Sequence, residues 1–312
     1  MITWLGGWEV GGLEGWLRQC APFLAGDGRV EATVDGARLI LPPASSTRYS
    51  DAQLDDYAGL SRRNFPHRPP LRLALRARFS HSAESNRSDA EDADRFSRSQ
   101  ARSDDFSRPG AEATEVATTS VRFPHLGSGL IGTAGFGFWN NPVGPQSKIP
   151  ALPQAIWFFY ASPPSNLSLA FGLTGCGGKA ACLDAGRASA LAWAPVAPLV
   201  MLACRSPRLY RAIWPRVERA LMISERLLAF KQGDATNWHT YELEWRRDGA
   251  RWRVDGETVL ETDRSPRGPL GFVAWIDNQY AVVTSQGNFK FGLLDAPFEQ
   301  WMEVADVDLA DR

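Results

Sequence analysis

The chain has 312 residues, of which 44% are hydrophobic and 22% charged, so it can bury the core of one large domain or two modest ones. Its 34 basic and 35 acidic residues leave a net charge of −1, which excludes a global field that steers the protein to nucleic acid or to an anionic membrane. Partners are therefore expected at local sites. The 12 tryptophans and 16 phenylalanines supply flat platforms for a small ligand.

The first predicted elements are a hairpin and an acidic segment. Residues 29–43, RVEATVDGARLILPP, carry Asp35-Gly36, a dipeptide preferred in tight hairpin turns. The acidic segment places three acids between two tyrosines: Tyr49, Asp51, Asp55, Asp56 and Tyr57. These acids either bind a hard cation or act as an acid–base pair with Asp277, or else they form an ordinary helical turn with exposed carboxylates. We favour the helical turn.

The next strand is followed by a polar insertion. Residues 71–79, LRLALRARF, alternate apolar residues with arginines, the pattern of a strand with one wet side. Residues 80–120 are rich in serine and in mixed charge, and their few aromatic residues cannot bury enough surface to offset the cost of ordering. This range is predicted to be a flexible insertion.

Two aromatic strands come next. GTAGFGFWNN alternates phenylalanine against glycine and ends at Trp139, with Asn140 directly after it. QAIWFFYAS, which contains Tyr160, is apolar on both faces and is predicted to be a central strand.

The range 188–230 is predicted to be a helical insertion. Residues 188–204 carry no charge, but at the lower limit of about 17 residues, and with Pro195 and Pro198 inside, a spanning helix is disfavoured. We interpret them as a buried or interfacial segment. The residues that follow have an aliphatic stripe at helical spacing, with arginines on the other positions, and Pro215 is expected to interrupt or kink the helix.

The last third reads as an antiparallel meander. Asp248-Gly249 and Asp255-Gly256 predict two tight turns between three strands, and further strands follow in PLGFVAWIDNQYAVVTS, NFKFGLL and EQWMEVADVDLA. About ten to twelve short strands without a βαβ rhythm predict an all-β, two-sheet antiparallel sandwich. Residues 1–312 are predicted to form that single domain.

The four cysteines form no metal motif. Cys176 and Cys182 are close in sequence but have no histidine or second close pair to complete a zinc site, so no metal and no cofactor is predicted. The first residues lack a signal peptide pattern. A cytoplasmic protein with reduced thiols is expected, or a Cys176–Cys182 disulfide if the protein is exported.

Residues 238–309 resemble the second half of concanavalin A-like jelly rolls, above all the family 16 glycoside hydrolases. The resemblance rests on WHTYELEWRRDGARWRVDGETV, on PRGPLGFVAWIDNQ and on the closing QWMEVADVDL. It implies a jelly-roll sandwich of the lectin and glucanase superfamily, with a concave groove for a carbohydrate.

The catalytic pattern of that family is absent. Its members carry Glu-x-Asp-x-(x)-Glu on one strand, which places two carboxylates about 5 Å apart in the cleft. The corresponding strand here, residues 153–162, has no carboxylate. Glu261 and Asp263 match the first part of the pattern, but Ser265 and Pro266 occupy the positions of the second glutamate. The resemblance therefore supports the fold and argues against the hydrolytic mechanism of the family.

We predict a small-molecule or glycan ligand in the groove. A regular pleat puts Trp275, Asp277 and Gln279 on one strand face, where an aromatic ring and polar groups suit a sugar. The full set of predicted ligand-binding residues is Asp55, Tyr57, Trp139, Asn140, Tyr160, Trp275, Asp277 and Gln279. The alternatives are an enzyme of different chemistry, with Asp277 and either Asp55 or Tyr57 as acid and base, and an interaction protein whose groove is filled by the 188–230 helices.

Overall fold

The computed structural model describes residues 13, 15–80, 129–142, 151–167, 170, 173, 175–228, 234–284 and 287–311. Most of the predicted polar insertion, residues 81–120, lies outside the described residues.

Two large antiparallel sheets contain most of the strands. Sheet 1 has the order β1 (Ala21–Ala25), β4 (Asp51–Asp55), β13 (Gly271–Asp277), β6 (Thr133–Trp139), β7 (Gln154–Ala161), β8 (Gly177–Asp184) and β9 (Ser224–Leu227). Sheet 2 has the order β12 (Glu257–Thr262), β11 (Gly249–Val254), β10 (His239–Arg246), β5 (Leu71–Phe79), β16 (Gln300–Asp311), β3 (Gly36–Leu41) and β2 (Arg29–Ala32). The all-β, two-sheet antiparallel sandwich predicted from the sequence is confirmed.

The core lies between the two sheets. Every second residue of β5 is buried, as the alternation of LRLALRARF predicts. Trp245 and Trp252 are fully buried here, and their indole N–H groups donate to the carbonyl oxygens of Pro266 at 2.9 Å and Trp157 at 3.2 Å. Because each indole buries a large ring and still satisfies its polar atom, these two side chains anchor the β10–β11 hairpin across the sandwich.

The predicted hairpins are all present. Asp35-Gly36 joins β2 to β3, Asp248-Gly249 joins β10 to β11, and Asp255-Gly256 joins β11 to β12. At the last of these turns Asp255 and Gly256 have φ of 51° and 82°, the left-handed pair that a type I′ turn requires.

Helices connect β8 to β9 at the edge of sheet 1. They are α1 (Ala188–Leu191), α2 (Ala197–Ala203) and α3 (Pro207–Ala220). The final helix continues through Pro215 without interruption, and residues 224–227 of the predicted helical range form strand β9 instead. Among the described residues, none of the helices has the length and apolar character needed to cross a membrane.

All four cysteines carry free thiols. Cys182 lies within β8 and Cys176 directly precedes that strand. Six residues of extended chain separate their Cα atoms by about 20 Å, which is far beyond the reach of a disulfide. The alternative of a Cys176–Cys182 bridge is therefore wrong for this fold.

Candidate functional site

The candidate site lies on the outer face of sheet 1. On β13 the side chains of Phe272, Ala274 and Ile276 belong to the core between the sheets, as predicted. Val273 and Trp275 contact clusters on the opposite face. The strand therefore presents its odd-numbered side chains outward.

Glycines on β6 make room for indole rings on this face. Gly135 is paired with Trp275 on one side and Phe159 on the other, and Gly137 is paired with Val273 and Trp157. A Cβ on Gly135 would lie 2.7 Å from the Trp275 ring and 2.5 Å from a backbone oxygen, so a side chain there displaces the indole or the neighbouring strand. The alternation GFGF in the sequence is the signature of this arrangement.

Three indoles form a continuous row over those glycines, which we call the tryptophan row: Trp139, Trp157 and Trp275. The ring centroids of Trp139 and Trp157 are 6.2 Å apart, and those of Trp157 and Trp275 are 5.5 Å apart. All three side chains are partly exposed. The row is an apolar surface of tilted rings, with interplanar angles of 42° and 48° between neighbours.

The sequence analysis missed Trp157 and selected Tyr160 from the same strand. On β7 the inward side chains are Ile156, Phe158 and Tyr160, and the Tyr160 hydroxyl donates to the Leu130 carbonyl oxygen at 3.1 Å. The prediction that Tyr160 lines the groove is wrong because it has the core-facing parity. The pairing of Trp157 with Gly137 on β6 places Trp157, and not Tyr160, among the outward-facing side chains.

Three buried acids lie beside the tryptophan row: Asp51 and Asp277 as a cross-strand pair, and Asp55 four residues further along the same strand as Asp51. The favoured helical turn with exposed carboxylates is wrong, because Asp51–Asp55 is strand β4, paired with β13. Asp51 is directly opposite Asp277, and Asp55 is opposite Val273. All three acids are buried. Asp56 follows the strand and leaves this face, with its carboxylate hydrogen-bonded to the Phe272 amide and to His67.

Asp277 is tightly held by its neighbours. Its Oδ1 accepts hydrogen bonds from the Thr133 hydroxyl at 2.7 Å, the Thr133 amide at 3.2 Å and the Gln279 amide at 3.1 Å. The Thr133 hydroxyl in turn accepts from the Trp275 indole at 2.9 Å. Burial raises the pKa of Asp277 to about 6, although these hydrogen bonds act in the opposite direction.

Asp55 and Tyr57 are linked to the other end of the tryptophan row. The Tyr57 hydroxyl accepts from the Trp139 indole at 2.6 Å and from the Gln53 amide at 3.3 Å, and Gln53 also donates to Asp55 at 2.8 Å. Burial raises the pKa of Asp55 to about 6 and the pKa of Tyr57 well above its ordinary value. Asp55 and Tyr57 are buried, whereas Gln53 is partly exposed.

Asp51 has the fewest hydrogen-bond partners of the three acids. Its Oδ1 is buried without a hydrogen-bond partner, and Tyr49 hydrogen-bonds the side chain. Burial, followed by the charge of Asp277, raises the pKa of Asp51 well above its usual range. Because Asp51 and Asp277 lie opposite each other on paired strands, ionisation of one disfavours ionisation of the other.

Asn140 and Gln279 do not join the site as predicted. The Asn140 amide donates to the Leu152 carbonyl oxygen at 2.9 Å and its oxygen accepts from the Gln154 amide at 3.0 Å, so it is committed to the loop. The stretch FVAWIDNQYAVV, residues 272–283, was predicted as one strand, but that strand breaks after Asp277. Gln279 begins β14 (Gln279–Val283), which pairs with β15 (Phe289–Leu293) and not with sheet 1. Gln279 therefore does not share the outward face of Trp275.

Within the part of the chain that the structure describes, no group of three or more His, Cys, Asp and Glu side chains is placed to hold a metal ion. What the face brings together is a partly exposed aromatic row, one amide and three buried acids.

No protein-family model matches the chain, and no curated protein matches its sequence. Solved structures resemble it in architecture. The Crh5 transglycosylase in complex with NAG is 9% identical, with 95% of this chain and 79% of that chain covered and a TM-score of 0.41. The Bacillus licheniformis beta-glucanase is 12% identical, with 91% and 82% covered and a TM-score of 0.39. The Emp47p carbohydrate recognition domain is 8% identical, with 94% and 88% covered and a TM-score of 0.40. Ligand and chemistry are therefore argued from the side chains of this chain.

Proposed function

We propose that this chain binds a carbohydrate on the outer face of sheet 1. The observation that carries the proposal is the tryptophan row, in which three adjacent indoles are partly exposed above a glycine strand. Sugar rings present flat C–H faces that pack on indoles, and their hydroxyl groups need hydrogen-bonding partners at the rim.

Polar groups beside the row support this choice of ligand. Gln53 lies opposite Trp275 across the β4–β13 pair and is partly exposed. The indoles of Trp139 and Trp275 are held by hydrogen bonds to Tyr57 and Thr133. An aromatic platform whose orientation is fixed before binding loses little conformational entropy when the ligand arrives.

Replacing Trp275 with alanine is expected to weaken glycan binding about thirtyfold or more, the cost of removing a binding hot spot. A glycan array first identifies the bound oligosaccharide, and isothermal titration then compares the wild type with Trp157→Ala and Trp275→Ala. Trp275→Phe retains a ring and should retain most of the affinity.

Trp301→Ala is the matched control, because Trp301 lies on β16 in the other sheet, between Arg38 and Arg78. It should leave affinity unchanged at a temperature where every variant is folded. If the control loses as much affinity as Trp275→Ala, or if neither Trp157→Ala nor Trp275→Ala loses any, the row is not the binding surface.

A second candidate, an acid–base enzyme acting on the bound glycan, is favoured by the Asp51–Asp277 pair. The earlier alternative combined Asp277 with Asp55 or Tyr57, but Asp51 is the acid directly opposite Asp277. A pair in which one carboxyl group keeps its proton beside an ionised partner provides both an acid and a base.

The enzyme candidate predicts cleavage or transfer of an oligosaccharide that the array identifies, with a rate that falls at least a hundredfold in Asp277→Asn. Mass spectrometry of the products measures the rate of cleavage or transfer. Binding by the wild type without any turnover leaves the binding function standing and excludes the enzyme.

A further inference from the structure

The helical layer between β8 and β9 exposes an unusual amount of apolar surface. Residues 188–204 contain no charged side chain, and within α2 no residue is buried. Leu199 and Leu202 are 68% and 60% exposed. Contiguous exposed apolar surface on a folded protein marks an interaction site more often than chance.

This layer is not part of the sandwich core. Cys204, Trp214 and Val217 form a small cluster of their own, against which Trp193 and Val200 pack. The helical layer therefore has a small hydrophobic core of its own, and its exposed leucines are outward-facing residues of a folded element.

Arginines cover the adjacent helix. On α3 the buried side chains include Trp214 and Val217, and the exposed face carries Arg208, Arg211, Arg216 and Arg219. Among the described residues, Arg205, Arg208, Arg211 and Arg219 form no ion pair. Elsewhere in the fold arginines are commonly paired, as Arg72, Arg76 and Arg78 are on sheet 2. The unpaired group is a local cationic surface on a chain of nearly zero net charge.

A second exposed apolar element touches the layer. The side chain of Met201 lies beside Gly287, in the turn between β14 and β15. On β15, Phe289 and Phe291 are 59% and 68% exposed and, as alternate residues, point to one side of the hairpin. Two segments far apart in sequence thus meet at Met201 and Gly287, and each carries exposed apolar side chains.

We propose that the helical layer docks on a membrane surface that contains anionic lipids. Exposed leucines on α2, together with unpaired arginines on the adjacent helix α3, are the composition of an element that lies in the interface, with apolar groups in the acyl boundary and cations at the headgroups. A second copy of the chain fits less well, because a two-fold interface would place the same unpaired arginines against one another.

Sedimentation of the full chain with vesicles tests the proposal, using phosphatidylcholine alone and equal parts of phosphatidylcholine and phosphatidylserine. Binding is expected to the anionic vesicles and to weaken with salt, since the Debye length falls from about 10 Å at 0.1 M to about 3 Å at 1 M. Arg208→Gln with Arg211→Gln should lower the partition coefficient about 25-fold, at about fivefold for each arginine. Leu199→Ser with Leu202→Ser should lower it at least tenfold.

Arg63→Gln with Arg247→Gln is the matched control, because both arginines are exposed and lie outside the layer. It should leave the partition coefficient within about twofold of wild type. Failure to bind anionic vesicles, or equal binding to both compositions, overturns the proposal. So does a concentration-dependent dimer in analytical ultracentrifugation that the leucine variant abolishes, which would identify a second copy as the partner.

Discussion

Replacing Lys179 with methionine is expected to lower the free energy of unfolding by about 3–5 kcal/mol, because it leaves a buried carboxylate without its partner. The Lys179 side chain is 0% exposed and pairs with Glu225, whose side chain is 3% exposed. The ammonium also donates to the Leu167 carbonyl oxygen at 3.1 Å. Urea denaturation at neutral pH measures the loss.

Combining Lys179→Met with Glu225→Leu is the informative control. An apolar pair of similar volume replaces a buried ion pair with little net cost, so the double variant should recover most of the lost stability. Equal destabilisation of the single and double variants would mean that packing at this position, and not an unpaired charge, is responsible.

The same ion pair borders the candidate site. Glu225 accepts a hydrogen bond from the Ala170 amide at 3.0 Å, so the pair fixes residues 167 and 170 against sheet 1. Leu167 packs on the cluster of Phe159, Ala161 and Ala181 that also receives Trp157 and Trp275. We therefore expect the double variant to regain stability while its glycan affinity stays below that of wild type.

Much of the fold follows from local chemistry that the sequence displays. The Asp-Gly pairs at 35, 248 and 255 each demand a tight turn, and β10 and β11 largely alternate between core and outer side chains, so this part of the pairing could be predicted. The continuous helix through Pro215 was not predicted, because a proline in a helix interior is unfavourable. Here the packing of Trp214 and Val217 offsets that cost.

The site was predicted only in part, because the register with neighbouring strands decides which side chains of a strand face outward. Trp139 and Trp275 were identified since each strand alternates in an obvious way. On β7 both faces are apolar, and only the register with Gly135 and Gly137 distinguishes Trp157 from Tyr160. Asp51–Asp55 resembles a helical turn in isolation, and becomes a strand because β1 and β13 pair with it on either side.

Gln279 was misplaced for a related reason. The Asn278 amide donates to the carbonyl oxygens of Ser45, Arg48 and Leu294, and its oxygen accepts from the Ser50 amide. Strand β13 ends at this point because the Asn278 side chain is hydrogen-bonded to backbone groups of distant segments. Those segments are far away in sequence, so the break has no local signal.

Replacing Asp51 with asparagine is expected to stabilise the protein by about 1–3 kcal/mol near pH 8, because a buried, partly unsatisfied carboxyl group with a raised pKa costs free energy above the pKa of the unfolded chain and a neutral amide does not. The sign follows from the raised pKa values of Asp51 and Asp277. The folded chain keeps protons that the unfolded chain has already lost above about pH 4, so stability falls as pH rises toward and through about 6, where Asp277 ionises. At about pH 4 both acids are protonated in the fold and the variant should match wild type. Urea denaturation across this range measures the difference.

Asp55→Asn provides the comparison on the same strand and face. Asp55 accepts from Gln53 and from the Tyr57 amide, so an amide in its place loses an acceptor, and the raised pKa of Asp55, about 6, predicts a smaller gain that grows with pH in the same way. A stabilisation of Asp51→Asn that is the same at every pH would contradict the ionisation argument. If the gain does grow with pH, the chain retains at neutral pH an acid pair that lowers its own stability, a cost that proteins characteristically accept where the acids act on a ligand. Loss of turnover or of glycan affinity in the stabilised Asp51→Asn variant would then assign the pair to the carbohydrate site and not to the scaffold.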